Sequence, residues 1–376
     1  MRALRSYGEK DIRVVDVDEP TPSGDKVIIN VEWCGICGSD LHLFHMGMEA
    51  VTDNTSPHPS GPEAMLRLPK STTDATPLIM GHEIAGRIAH SPDPASLPVG
   101  APVVVDPCLF CGNCAPCAAR QTQLCAAGIS FRGFSTQAGG GFAEKIAVEP
   151  SAVYVLPEEA GARLAHAALV EPLAVAWHAV KRAGIATPAW SAADVTALVV
   201  GGGPVGVAVC YVLKAWGVAR VVLSEPARAR REGVRALVDE VVDPVGESVV
   251  ERCLGATEGK GVDVVFECSG SQRVVADVFG SVSFLGTVVI VALWKGDVAV
   301  PFVPLMYKEI AVTASCAYNA TDLQEVVKAF AAGRFTGVDS MVTARLSLED
   351  VVEKGFDALT NPENTHVKIL ISPKEL

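Results

Sequence analysis

Residues 195–226 read VTALVVGGGPVGVAVCYVLKAWGVARVVLSEP, and their order decides the fold of the second half of the chain. Residues 195–200 are an aliphatic, β-branched run with the length of a buried strand. A glycine-rich turn follows at 201–206, residues 204–216 make a helix-length apolar segment, and 220–223 are strand-like again. Strand, tight turn, helix and strand in succession form a unit whose strands run parallel. Within GGGPVG, Gly201 permits the tight turn, Gly203 lets the backbone approach a pyrophosphate, and Gly206 lets helix and strand pack closely. The helix start at Pro204 and Val205 adds free N–H groups and the positive end of the helix dipole. Alone, this pattern also fits a glycine-rich turn in a sheet that binds nothing. Glu225 alters the reading, because it ends the next strand about twenty residues on, where a carboxylate accepts hydrogen bonds from the ribose hydroxyls of a dinucleotide. A carboxylate there repels a 2′-phosphate and so favours NAD. Arg228, Arg230 and Arg231 follow closely and can receive such a phosphate, and Arg230 joins the expected cofactor-binding set.

Outward from this unit, strand-like runs at 262–266 and 287–291 alternate with helical patterns, so the second half reads as α/β with a parallel sheet. Residues 1–45 are β-rich: 12–17 is strand-like, and in 26–33 Val27, Ile29 and Val31 alternate at period two. From 46 to 79 periodicity disappears among prolines, serines and threonines, which reads as a long loop. Beyond residue 317, a helix over 322–332 ends at Gly333, a second helical pattern covers 348–359, and 366–371 is a closing strand. No repeat or low-complexity tract interrupts this.

A length of 376 residues predicts two domains. Hydrophobic residues at 49% and charged residues at 20% describe a folding chain. The net charge of −12 makes nucleic acid and anionic membrane poor partners. The longest apolar run of the central region, 205–213, is far short of the ~20 residues that span a bilayer. The charged opening MRALRSYGEKDIR lacks the apolar core of a secretory signal, so a cytoplasmic location is expected. Eleven cysteines, an odd number with five crowded into 108–125, point to metal and not to a disulfide scaffold.

Cys111, Cys114, Cys117 and Cys125 carry that reading. Three cysteines at i, i+3 and i+6 bend a short loop so that their thiolates converge, and a fourth eight residues on can close a tetrahedron around Zn²⁺. Four thiolates leave no open position, so such a zinc would be structural. Unligated buried cysteines or a redox dithiol are the alternatives, and Cys108 is left over. A second, dispersed set is Cys37 in CGICGSDLH, His82 and Glu83 in GHE, and Glu171 in EPL. A mixed S, N and O set from distant segments suits an open, Lewis-acid zinc, although each residue taken singly is also an ordinary core residue. His45, His58, His90, His166, His178 and His366 are assigned no role.

Together, WCGICGSDLH (33–42), GHE (81–83), the four spaced cysteines, EPLAVAWHAVKRAG (171–184), GGGPVG with SEP (224–226), FECSG (266–270) and VEKGFDALTNPENTHVKILISP (352–373) resemble the zinc-dependent medium-chain alcohol dehydrogenases. The likeness spans nearly the whole chain and is strongest to the branch of the (R,R)-2,3-butanediol and sorbitol dehydrogenases. It implies an α/β fold in which a GroES-like catalytic domain (1–172 and 318–376) with a structural zinc lobe flanks a doubly wound Rossmann domain (173–317). It further implies two zincs per subunit, NAD, a homodimer or homotetramer, and hydride transfer between a secondary alcohol and its ketone in a cleft between the domains. By the same resemblance, the catalytic zinc is held by Cys37, His82 and a carboxylate, Glu83 or Glu171, with Glu83 expected as ligand and Glu171 close by. Ser39 and His42 form the proton relay and Asp40 orients a zinc ligand. The stretch 46–79 matches no pattern of the family; lying between Cys37 and His82, it is expected to border the substrate. A zinc-free quinone or enoyl reductase of the same fold would need neither cysteine set, and a non-catalytic dinucleotide or zinc binder would not turn over.

Overall fold

The computed structural model describes residues 1–22, 24–46, 77–128, 130–135, 138–185, 191–294, 297–361 and 363–374. The stretch 46–79 thus lies outside the described residues except at its ends. The chain divides into two compact units: Met1–Glu171, Asn319–Gly333 and Val342–Leu376 in one, Pro172–Tyr318 and Arg334–Met341 in the other.

The first unit is built on a seven-stranded sheet ordered Val153–Val155, Pro102–Val105, Glu83–His90, Val27–Gly35, Lys368–Ser372 and Val342–Ser347, with Lys145–Val148 also paired to Val27–Gly35. Val27, Ile29 and Val31, the alternating residues of the sequence, are all buried, and Leu4, Ile84, Phe142, Ile369 and Ile371 complete the same core. The closing strand returns to the N-terminal sheet: Leu370 pairs with Gly35 and Ile371 with Cys34, while on the other side of that strand Gly35 pairs with Glu83. The helical pattern at 348–359 is wound as a π-helix over Val351–Asp357 and then a short α-helix, Ala358–Thr360. Its buried Phe356 stands 5.3 Å from the Phe44 ring and 6.3 Å from that of Phe142.

The second unit is a six-stranded sheet in which every pairing is parallel, ordered Glu240–Val242, Arg220–Ser224, Thr196–Val200, Val262–Glu267, Val282–Ile290, Ala311–Ala314. Numbered along the chain this is 3-2-1-4-5-6, the doubly wound order, whose switch point lies between the first and fourth strands. The central strands are apolar because helices cover both faces: Ala197, Leu198, Val199, Val264, Val265 and Phe266 have no exposed surface. The strand expected at 287–291 begins five residues earlier, at Val282. The edge strand Ala311–Ala314 has no counterpart in the sequence reading, because its residues are mostly exposed and form no apolar run.

The helix Ala320–Ala331 starts where a reciprocal cap fixes it. Asn319 Oδ1 accepts from the amides of Thr321 (2.9 Å) and Asp322 (3.0 Å), and Asp322 Oδ2 accepts from the Asn319 amide (3.1 Å). After Gly333 the chain enters the second unit for Arg334–Met341, held there by the Tyr211 hydroxyl, which donates to the Gly337 carbonyl at 2.6 Å and lies 2.7 Å from Ser340 Oγ.

Pro204–Ala215 is the helix of the glycine turn. Gly201 has φ +103°, and a Cβ on Gly206 would fall 1.9 Å from the Gly201 carbonyl oxygen, whereas a Cβ on Gly203 meets nothing within 4 Å. Gly206→Ala is therefore expected to cost about 1–3 kcal/mol of stability through overpacking, and Gly203→Ala to leave the urea midpoint unchanged. Equal midpoints for the two variants would show that the turn tolerates a side chain at Gly206.

Candidate functional site

Cys37 lies between the strand Val27–Gly35 and the helix Gly38–Met46, while His82 immediately precedes the strand Glu83–His90. One ligand atom from each of Cys37, His82 and Glu83 falls within 4.8 Å of the other two. Asp40, fully buried, organises this corner: its Oδ2 accepts the Cys37 amide at 2.9 Å, and its Oδ1 faces His82 Nδ1 at 3.6 Å. An acid on one ring nitrogen leaves the other nitrogen for a metal. His82 Nε2 lies 3.5 Å from Ser39 Oγ. Burial works against a charged His82, but the charges of Asp40 and Cys37 outweigh it and hold the His82 pKa well above its ordinary value. Ser39 and His42 stand three residues apart on the helix Gly38–Met46, hence on one face, and both are half-buried.

Glu83 brings a partner that the sequence reading missed. Its Oε1 accepts from the Lys368 ammonium at 2.6 Å, and the same ammonium donates to the Ile36 carbonyl at 3.0 Å. Burial alone would lower the Lys368 pKa, yet the charges of Glu83, Cys37 and Glu171 leave it raised. The available signal was a lysine inside the wholly buried strand KILIS, which is costly without an acid beside it. Glu171, buried in the first turn of the helix Val170–Arg182, lies outside the group formed by Cys37, His82 and Glu83.

Among the described residues one other group has metal-binding geometry, and it consists of Cys111, Cys114, Cys117 and Cys125. The Cys114 and Cys125 sulfurs are 4.0 Å apart, the Ala126 amide donates to Cys114 Sγ and the Cys111 amide to Cys125 Sγ, both at 3.4 Å. Amides of Cys117 and Ala126 draw the Cys114 pKa down to about 6, whereas desolvation pushes Cys117 up to about 12. Cys108 is outside this group, in a two-residue strand paired to Ser130–Phe131.

At the glycine turn, Glu225 is buried and already engaged. Its Oε2 accepts from the Gly202 amide at 2.6 Å and its Oε1 from the Ala227 amide at 2.7 Å. Of the three following arginines, Arg228 pairs with Glu232, and Arg231 holds the carbonyls of Glu225 and Pro226 together with Asp243. Arg230 Nε is buried with no hydrogen-bond acceptor among the described residues.

Two family models match the chain: the alcohol dehydrogenase GroES-like domain over residues 23–158 and the zinc-binding dehydrogenase over residues 204–332. The (R,R)-butanediol dehydrogenase of Neisseria gonorrhoeae is 34% identical over 376 residues, which is 99% of each chain. The crystal structure of 2R,3R-butanediol dehydrogenase from Bacillus subtilis superposes with a TM-score of 0.82 at 31% identity, covering 99% of both chains. A protein from Sinorhizobium meliloti 1021 solved with NADP bound has a TM-score of 0.80 at 28% identity, again covering 99% of both.

Metal bound by the cysteine lobe would add directly to folding free energy. Cys114→Ser should then lower both the zinc content and the thermal midpoint, with a smaller effect on activity per folded molecule. A variant with unaltered zinc content and unaltered midpoint excludes a metal held by these four cysteines.

Proposed function

The chain belongs to the zinc-binding alcohol dehydrogenase family and is an oxidoreductase, and from that membership we propose that it interconverts a vicinal diol or polyol of the 2,3-butanediol type with its hydroxyketone, using NAD(H). The observation that carries this reading is the approach of Cys37, His82 and Glu83 to within 4.8 Å of one another from two separate segments. A thiolate, an imidazole and a carboxylate are a donor set for zinc with its fourth position open, and the buried, unpartnered Oε2 of Glu83 fits a metal beside it. The four-cysteine lobe would hold a second, structural zinc. A zinc-free reductase has no use for either group.

When bound, zinc supplies a Lewis acid for the alcohol oxygen and the dinucleotide an acceptor for its hydride. The chain's own residues supply the rest. Asp40 holds the Cys37 amide and faces His82, so both donors are oriented before substrate arrives. The Ser39 hydroxyl takes the substrate proton while passing its own onward, and the His42 imidazole, on the same helix face, holds that proton before it leaves to solvent. Glu171, whose charge acts on Lys368, would be a nearby carboxylate able to exchange with the ligands of a bound metal. The glycine turn at Gly201, Gly203, Pro204, Val205 and Gly206 would cradle a pyrophosphate, and the lone pairs that Glu225 has left would accept from the ribose. Arg230 flanks that ribose; Arg228 and Arg231 already have partners, which weakens the case for a 2′-phosphate.

No helix among the described residues is long and apolar enough to cross a membrane. Eleven free cysteines, among them the four of the lobe and Cys37, which would bind metal as thiolates, suit the reducing cytoplasm. The second unit supports a homodimer. Among the described residues its edge strand Ala311–Ala314 pairs on one side only, and Phe284, Leu285, Phe302, Val303, Met306 and Tyr307 are two-thirds or more exposed. The two segments that carry them meet where the Leu285 amide donates to the Lys308 carbonyl at 2.7 Å. Exposed apolar side chains in a unit that also ends in an unpaired strand edge are what a second copy would cover.

Kinetics with vicinal diols, acetoin, polyols and ethanol, each with NAD⁺/NADH and NADP⁺/NADPH, test the activity. Diols and hydroxyketones with NAD(H) should give the highest kcat/KM, and the purified chain should carry two zincs per subunit. Ethanol outperforming every diol, or higher efficiency with NADP⁺, would overturn the substrate or the cofactor assignment. For the assembly, light scattering should give twice the chain mass, and the double variant Phe302→Asp/Met306→Glu, altered only at exposed positions, should give a folded monomer. A native monomer, or a dimer that survives both acids, excludes this face.

A further inference from the structure

Lys368 carries an ammonium into the interior of the first unit, where it is 1% exposed. A lysine has three donors, and two have fixed partners in segments remote in sequence: Glu83 Oε1 at 2.6 Å and the Ile36 carbonyl at 3.0 Å. Ile36 immediately precedes Cys37. One cation therefore braces both segments that carry candidate zinc ligands. The other oxygen of Glu83, Oε2, is buried and has no hydrogen-bond partner among the described residues. Its space exists because residue 35 is glycine: a Cβ on Gly35, which faces Glu83 across the ladder, would lie 1.9 Å from Oε2. The Glu83 carboxylate is thus held at one oxygen and without a hydrogen-bond partner among the described residues at the other, and one of its oxygens lies within 4.8 Å of ligand atoms of Cys37 and His82.

We infer that Lys368 is a positioning residue that sets how Glu83 binds the catalytic zinc: it retains Oε1, so that Oε2 alone reaches the metal, and its charge weakens that bond enough for it to exchange. This rests on the reading of Cys37, His82 and Glu83 as zinc ligands. The physical need is an open position. Both oxygens of a free carboxylate can close on a dication and occupy the place a substrate oxygen requires, whereas a carboxylate already bonded to an ammonium is a weaker donor with one face. Anchoring the brace at Ile36 as well keeps Lys368 from following Glu83 toward the metal.

The test uses the full-length zinc-loaded protein and follows loss of the catalytic zinc to a chromophoric chelator; zinc held by the four cysteines of the lobe, with no open position, should leave as a separate, slower phase. Lys368→Met removes the charge at similar length and should slow loss of the catalytic zinc by roughly tenfold, the scale on which groups behind metal ligands act. Lys368→Arg keeps the charge, but its fork takes both carboxylate oxygens, so loss should be faster than in the native protein. In a Glu83→Gln background each substitution should alter the rate by less than about twofold, because the route through Glu83 is gone. Unchanged rates in the single variants, or equal changes with and without Glu83, would overturn the inference and leave Lys368 as a brace for the Ile36 carbonyl. Should Lys368→Met fail to fold, Lys368→Arg retains the buried ion pair and carries the comparison alone. Fewer than two zincs in the native chain would defeat the zinc reading itself, whereas two zincs with unaltered rates would defeat only the role of Lys368.

Discussion

The register that sets Gly35 between Glu83 on one neighbouring strand and Leu370 on the other is the constraint on which the first unit depends. In a sheet a slip of one residue turns every side chain to the opposite face. Such a slip of the closing strand would carry Lys368 away from Glu83 and bury Val367 or Ile369 against the carboxylate. Correct pairing instead delivers a cation from the far end of the chain to an acid 285 residues earlier. The same pairing seats Ile369 and Ile371 in the core with Ile29, Val31 and Ile84. Apolar burial and the ion pair therefore select one alignment, and the segment leading into Cys37 is fixed as a consequence.

The second unit solves a comparable problem with acids. At the carboxyl ends of its central strands the chain must turn sharply and leave amides facing outward. Glu225 takes the Gly202 and Ala227 amides, and Glu267 Oε1 takes the amides of Ser269 and Gly270 along with the Ser269 hydroxyl, at 2.6–2.9 Å. Both acids are buried. The two turns also touch, since a Cβ on Gly201 would come within 3.1 Å of the Ser269 amide nitrogen. The loops at the switch point of the sheet are thus held by buried carboxylates before any ligand arrives, so little ordering remains to oppose binding there.

The parallel sheet was legible in the sequence because its inner strands are covered on both faces and read as unbroken aliphatic runs. Ala311–Ala314 was not, since an edge strand bare on both faces has no such pattern. The helical period at 348–359 indicated a helix but not the wider π winding, which places Phe356 against Phe44 and Phe142. Local spacing was enough to group the four lobe cysteines, because they lie within fifteen residues of one another. Cys37, His82 and Glu83 were joined through family resemblance, for no local rule connects them. Lys368 stayed hidden for a simpler reason: the strand KILIS reads as apolar, and the acid that explains its lysine lies at the other end of the chain.

The charges buried around Cys37 link the site to the stability of its unit. Asp40 and Glu83 are buried beside the half-buried Cys37, and Lys368 is the cation that faces Glu83. Acids taken out of water destabilise a fold unless paired, and each of these two has a basic group against it, His82 for Asp40 and Lys368 for Glu83. A divalent metal held, as we propose, by Cys37, His82 and Glu83 would bind only the assembled site and so stabilise the folded state by mass action. A position left open there for a substrate oxygen would sit within the same arrangement of charges that pairs these acids.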